Sequence, residues 1–185
     1  MRRIALILAT AAASSLSMAT LAQPASATVP TCRDYPATIV VTSTSPRVVH
    51  GTAKRDVVVV LAGGHVIDTR GGDDIVCGSA GSDLILGGYG GDLIYGGGGN
   101  DRIFGGGGDD KLVGGAGNDL LVGGPGNDKL YGEAGRDRLY GDPGNDELDG
   151  GPGADLVNGG AGADQLLIGV GDRVFNDGRD TLSYA

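Results

Sequence analysis

One apolar position keeps time for most of this chain. From Ile85 onward an aliphatic residue recurs every nine positions, as Ile94, Ile103, Leu112, Leu121, Leu130, Leu139, Leu148, Val157 and Leu166. Its neighbours on either side vary freely, from Leu84 and Tyr95 to Arg102, Lys111, Glu147 and Asn158. One constrained position between two free ones is the signature of a three-residue strand with its middle side chain buried, because successive strand residues point to opposite faces. Between these strands lie six-residue stretches of the form Gly-Gly-x-Gly-x-Asp. Their glycines allow positive φ and close backbone approach, so each stretch predicts a turn. Gly78–Leu167 thus contains ten such units in succession with no insertion.

A strand that buries one side chain cannot offset the entropy of ordering nine residues, so the units must stack and something besides the core must hold them. The turns suggest what that is. Asp83, Asp92, Asp101, Asp110, Asp119, Asp128, Asp137, Asp146, Asp155 and Asp164 stand nine apart, and Asp74 extends the series backwards. One carboxylate per turn amid free carbonyls, with neither His nor Cys in the turns, is a hard-oxygen ligand set that suits calcium rather than zinc or copper.

These units resemble the GGxGxDxUx nonapeptide of the RTX (repeats-in-toxin, hemolysin-type) calcium-binding family, over roughly residues 51–167. The resemblance implies an all-β fold, a parallel β-roll or right-handed β-solenoid in which two nonapeptides make one 18-residue coil. It places calcium ions between turns of successive coils. Asp56, Asp74, Asp92, Asp110, Asp128, Asp146 and Asp164 would then form one row, and Asp83, Asp101, Asp119, Asp137 and Asp155 the opposite one. The expected metal residues are the eleven aspartates from Asp74 to Asp164, with Asp56 a weaker candidate and no full site before Asp74.

The flanks read differently. Met1–Ala27 has Arg2 and Arg3, an apolar stretch and Ala25-Ser26-Ala27, the layout of a secretory signal peptide. Its removal would leave 158 residues and take the formal charge from −9 to −11, since two arginines go and no acid does. Residues 28–50 lack glycine before position 51 and carry Ile39-Val40-Val41, a capping strand. Counting back from Asp56 makes Arg47–Val49 a decayed unit. In 51–77 the repeat is degenerate, with His65 where an aspartate belongs. Cys32 and Cys77 fit one disulfide in an exported protein, although free thiols or an intermolecular bridge stay open. Residues 168–185 put Arg173 at the aspartate position and Phe175 at the core position. There Phe175, Leu182 and Tyr184 are expected to cover the last coil as a C-terminal cap, and Asp172, Asp177 and Asp180 are candidates for one more ion.

Acidity argues against nucleic acid and anionic membrane as partners. No HExxH motif and no nucleophile elbow exist, and the aspartates are committed to metal, so no enzyme is expected. Tyr95, Val113 and Tyr131 share one outward face, Phe104, Val122 and Tyr140 the other. The expectation is a secreted, extracellular calcium-binding scaffold with calcium-induced folding. The alternative is an adhesion or matrix protein whose faces bind a surface or glycan.

Overall fold

The computed structural model describes residues 31–184, so the signal-peptide expectation lies outside the described residues. Among them there is no helix, and none long and apolar enough to cross a membrane. The chain winds as a β-solenoid of about eight turns, each near 18 residues, with consecutive strands alternating between two parallel sheets.

One sheet has nine strands and runs from Ile39–Val41 to Thr181–Tyr184, and the other has eight, from Val48–His50 to Arg173–Phe175. Registry is the sequence period itself: Ile85 pairs with Ile103 and Ile103 with Leu121, while Ile94 pairs with Leu112 and Leu112 with Leu130. The middle residue of each three-residue strand points between the sheets. From Ile85 to Leu139 these residues have no exposed surface, and together they form one continuous core. The 18-residue coil follows from having two such strands per turn, since one row of aliphatics cannot be buried without a facing row.

At the N-terminal end, Val49 pairs with Ile67 and packs on the core, so the decayed unit is a true strand of the roll. Ile39–Val41 pairs with Val58–Val60 and edges the other sheet. Before it, Thr31–Cys32 and Tyr35–Pro36 form a small antiparallel hairpin laid on the outer face of the nine-stranded sheet. There Cys32 and Ala37 pack with Val57, Val59 and Ile75 in a second apolar cluster, and the Cys32–Cys77 disulfide is formed.

The C-terminal frame differs from the expectation. Val174, not Phe175, pairs with Val157 and packs on the core, and Phe175 is half exposed. The unit after Leu167 is one residue short, so Asp172 rather than Arg173 occupies the aspartate position. The next is short too, and Leu182 pairs with Leu166, only 16 residues away. Phe175, Leu182 and Tyr184 therefore do not fold across the last coil. The tail extends both ladders by a strand each and leaves those three side chains exposed.

Candidate metal-binding turns

The turns hold the chemistry. Each repeat aspartate is nearly inaccessible, with 1–4 % exposure from Asp74 to Asp164. What buries it is the neighbouring coil. The backbone N–H of one aspartate donates to Oδ1 of the aspartate 18 residues later: Asp74 to Asp92 at 2.8 Å, Asp92 to Asp110 at 2.7 Å, Asp101 to Asp119 at 2.7 Å and Asp119 to Asp137 at 2.8 Å. This repeats without a break from Asp56 to Asp164 in one file and from Asp83 to Asp155 in the other. The two rows expected from the spacing are thus two physical files, one on each side of the roll. His65 sits in the aspartate position of the second file, where its N–H donates to Asp83 Oδ1 at 3.1 Å and its ring bonds the Ala62 carbonyl.

The second carboxylate oxygen tells the units apart. Oδ2 of Asp74, Asp92, Asp101, Asp110, Asp119, Asp128, Asp137, Asp146, Asp155 and Asp164 is buried and accepts no hydrogen bond. A buried carboxylate oxygen without a protein partner is costly, and a run of them in register suits cation ligation. The first glycine of the turn supplies the space. A Cβ added to Gly96 would lie 2.5 Å from Asp101 Oδ2 and 2.6 Å from the Gly114 carbonyl oxygen; at Gly114 the same distances to Asp119 Oδ2 and the Gly132 carbonyl are 2.6 and 2.8 Å. Every first glycine at nine-residue intervals from Gly87 to Gly159 shows this closeness to the orphaned Oδ2. A side chain there would collide with both oxygens, so glycine is what lets the unpartnered carboxylate oxygen and a carbonyl of the next coil come together, a pair of hard oxygens of the kind calcium takes. The residues fit that ion. Among the described residues no three His, Cys, Asp or Glu side chains converge, so main-chain carbonyls must complete any coordination, as the hard-oxygen reading requires.

Three units at the N-terminal end are built otherwise. Thr52 donates its N–H and Oγ1 to Asp56 Oδ2, at 2.7 and 3.1 Å. Ser79 Oγ donates to Asp83 Oδ2 at 2.9 Å. At Asp74 the first residue of the turn is Thr69, so a real Cβ fills the space that glycine leaves elsewhere, and its Oγ1 donates to the Gly87 carbonyl at 2.7 Å. At Asp56 and Asp83 a hydroxyl thus satisfies the oxygen that stays orphaned at Asp74 and in the later turns. At the other end Asp172 Oδ2 accepts from the Gly169 N–H at 2.7 Å, and Asp164 N–H reaches Asp180 Oδ1 at 3.4 Å, whereas Asp177 only caps the local turn at Arg179.

Burial also sets the electrostatics. Desolvation raises Asp92, Asp101, Asp110 and Asp146 to about 7, and Asp74, Asp128 and Asp137 to about 6. The Oδ1 hydrogen bond opposes this, while neighbouring aspartates of the same file add to it in most units. Asp119, Asp155 and Asp164 are raised by the same burial. A carboxylate that resists ionising at neutral pH in its own fold is one that gains greatly from a cation.

A further ladder escaped the sequence reading. Where the residue before a repeat aspartate is Asn, Asp or Ser, its side chain accepts from the N–H 18 residues later: Asn100 Oδ1 from Asn118 N–H at 2.8 Å, Asn118 Oδ1 from Arg136 N–H at 2.8 Å and Asn127 Oδ1 from Asn145 N–H at 3.0 Å. Asn or Asp before the repeat aspartate, as at Asn100, Asp109, Asn118 and Asn127, was its signal.

No curated protein matches the chain. The family model for the RTX calcium-binding nonapeptide repeat (4 copies) matches it at residues 50–85, 78–112, 86–121, 113–148, 131–166 and 140–174. With the period, the parallel roll and the buried aspartate files on the same residues, the chain belongs to the family of RTX calcium-binding nonapeptide repeat proteins.

Proposed function

We propose that this chain is an exported calcium-binding scaffold whose roll folds as calcium enters the aspartate files. Repeats of this family bind calcium, and a β-roll is a structural and binding fold rather than a catalytic one. The observation that carries the finer reading is the run of buried, partnerless Oδ2 atoms from Asp92 to Asp164, each facing the first glycine of its own turn. Asp92, Asp101, Asp110, Asp119, Asp128, Asp137, Asp146, Asp155 and Asp164 would each hold an ion with turn carbonyls. Asp74 and Asp83 would border these sites, their own turns being filled by Thr69 and Ser79. Calcium neutralises the stacked carboxylates and gives the orphaned oxygens a partner. The chain's residues supply the cradle, align successive coils through the Oδ1 bonds and exclude water by burial.

Met1–Ala27 would direct export, and external calcium would fold the chain after passage. Affinities of the extracellular class, about 10⁻⁴–10⁻³ M, would then suffice. Among the described residues no side-chain set supports catalysis: Ser79 caps Asp83, and His50 pairs with Asp68 at 3.0 Å on the surface. Native mass spectrometry of the mature chain in calcium tests the reading by counting ions. Up to nine should be retained. Retention of none at millimolar calcium would overturn it.

A further inference from the structure

The outer face of the eight-stranded sheet carries a second periodicity, laid over the nine-residue one. From Arg102 onward every second strand presents an arginine and an aromatic side chain on either side of its buried residue: Arg102 and Phe104, Arg138 and Tyr140, Arg173 and Phe175. The intervening strands present Leu84, Leu120 and Leu156 beside the arginine column and no charge at all. From Leu84 to Phe175 the outward positions of these strands carry a single carboxylate, Asp142, against the three arginines, in a chain of net charge −9. The opposite sheet is different. Its outward positions mix Lys111 and Lys129 with Glu147 and Asp149, the N-terminal hairpin covers its first strands, and its cations are already engaged. Arg33 lies 4.1 Å from the Tyr95 ring centre, Lys111 lies over Tyr131, and Lys129 pairs with Glu147 at 2.6 Å. Among the described residues Arg102, Arg138 and Arg173 form no ion pair and stack on no ring. Beside the first two lies a groove of about 410 Å³, to which Arg136 adds another guanidinium. Of the Asp101 and Asp119 carboxylates in its wall, Oδ1 is held in the coil-to-coil bonds and Oδ2 is buried in the turn.

We infer that this face is a binding platform for a linear acidic polysaccharide with one carboxylate per disaccharide repeat. Strands stand 4.7–4.9 Å apart, so the arginine–aromatic pairs recur at roughly 9.5 Å along a flat track. That is the scale on which an extended pyranose disaccharide repeats. Guanidinium forks bind carboxylates in two-pronged fashion, while rings beside them offer flat apolar surface to the C–H face of a sugar. A neutral glycan would leave the uncommitted arginines without a role. A compact protein would have no reason to match a track that repeats.

This inference rests on the calcium-filled roll, so the test begins from the mature chain in saturating calcium with its β-structure verified by far-UV circular dichroism. Titration calorimetry with hyaluronan oligosaccharides, which carry a carboxylate on alternate sugars, should give binding that weakens as salt is raised. The R102Q/R138Q variant should bind roughly tenfold or more weaker, the scale of lost charge-assisted hydrogen bonds. F104A/Y140A should weaken binding at unchanged salt dependence, and K111Q/K129Q on the opposite sheet should change it by less than about twofold. Folded protein that ignores hyaluronan, binds neutral dextran equally, or binds only phosphatidylglycerol vesicles would overturn the platform. So would equal losses in the two cation variants. A chain that stays unfolded in calcium would show in the dichroism and overturn the scaffold reading itself, taking the platform with it.

Discussion

Each repeat aspartate divides its labour between two oxygens, and the division predicts opposite effects of one substitution. In Asp119, Oδ1 accepts the Asp101 N–H at 2.7 Å and Oδ2 has no partner. Asn keeps an acceptor for that N–H and removes the buried charge. Asp119→Asn should therefore lower the calcium needed for folding nowhere: it should raise the calcium midpoint and remove one bound ion, yet stabilise whatever structure survives in chelator. A calcium titration and a urea melt in chelator, run on both proteins, read the two signs. The same logic fixes a pH dependence. Asp92, Asp101, Asp110 and Asp146 are raised to about 7 in the metal-free roll against an ordinary 3.8. The folded state then binds more protons than the unfolded between about pH 4 and 7, so metal-free stability is present at the acid end and lost as pH rises through 6 to 7. In chelator, acidification from pH 8 to 5 should increase β-structure, followed by circular dichroism. Loss of structure on that change would show that the carboxylates are not buried as described.

At the scale of the turn and strand, the second position of the unit sets the backbone. Gly97 and Gly106 have φ of 103° and 115° there, and Glu133 and Asp142 are held at 67° and 70° in the same place. A side chain in that region is strained, so Glu133→Gly with Asp142→Gly should stabilise the calcium-loaded roll by about 1 kcal/mol, read as a rise in Tm. The gain is modest because glycine also frees the unfolded chain. Legibility followed the strength of the local rule. The buried strand centres and both files of aspartates could be read because every unit from Gly78 to Leu167 repeats them without insertion. The tail could not be read by counting nines: a single missing residue moved Asp172 and Val174 into the places given to Arg173 and Phe175. Gly-x-Gly-Asp at Gly169–Asp172, with Val174 two residues later, contained the correct frame, but the pattern was too short to outweigh the period. Thr52, Thr69 and Ser79 were missed for another reason. The role of Thr52 and Ser79 is visible only when a hydroxyl is seen beside a carboxylate oxygen that elsewhere has none, and that of Thr69 only when its hydroxyl is seen on the Gly87 carbonyl.

Across the whole molecule the roll divides into two ends with different sources of stability. The N-terminal coils carry hydroxyl-filled turns, a second apolar cluster and the Cys32–Cys77 bridge, which closes a loop spanning 45 positions. A crosslink of that span contributes about 4 kcal/mol in the chain-entropy account. The remaining coils have a single file of aliphatics per sheet, the coil-to-coil ladders and the orphaned carboxylates. Nearest-neighbour coupling makes such arrays fold by extension from a formed end. On the proposed function, the bridged coils are the natural start and calcium would drive the extension. Calcium, not the apolar core, should decide whether the later coils form. A far-UV circular dichroism titration of the disulfide-bonded mature chain with calcium, against magnesium as control, tests it most directly. The account predicts weak β-signal in chelator and a cooperative, calcium-specific rise to the full roll at sub-millimolar to millimolar calcium. A chain with full β-signal in chelator at neutral pH, unchanged by calcium, would contradict it.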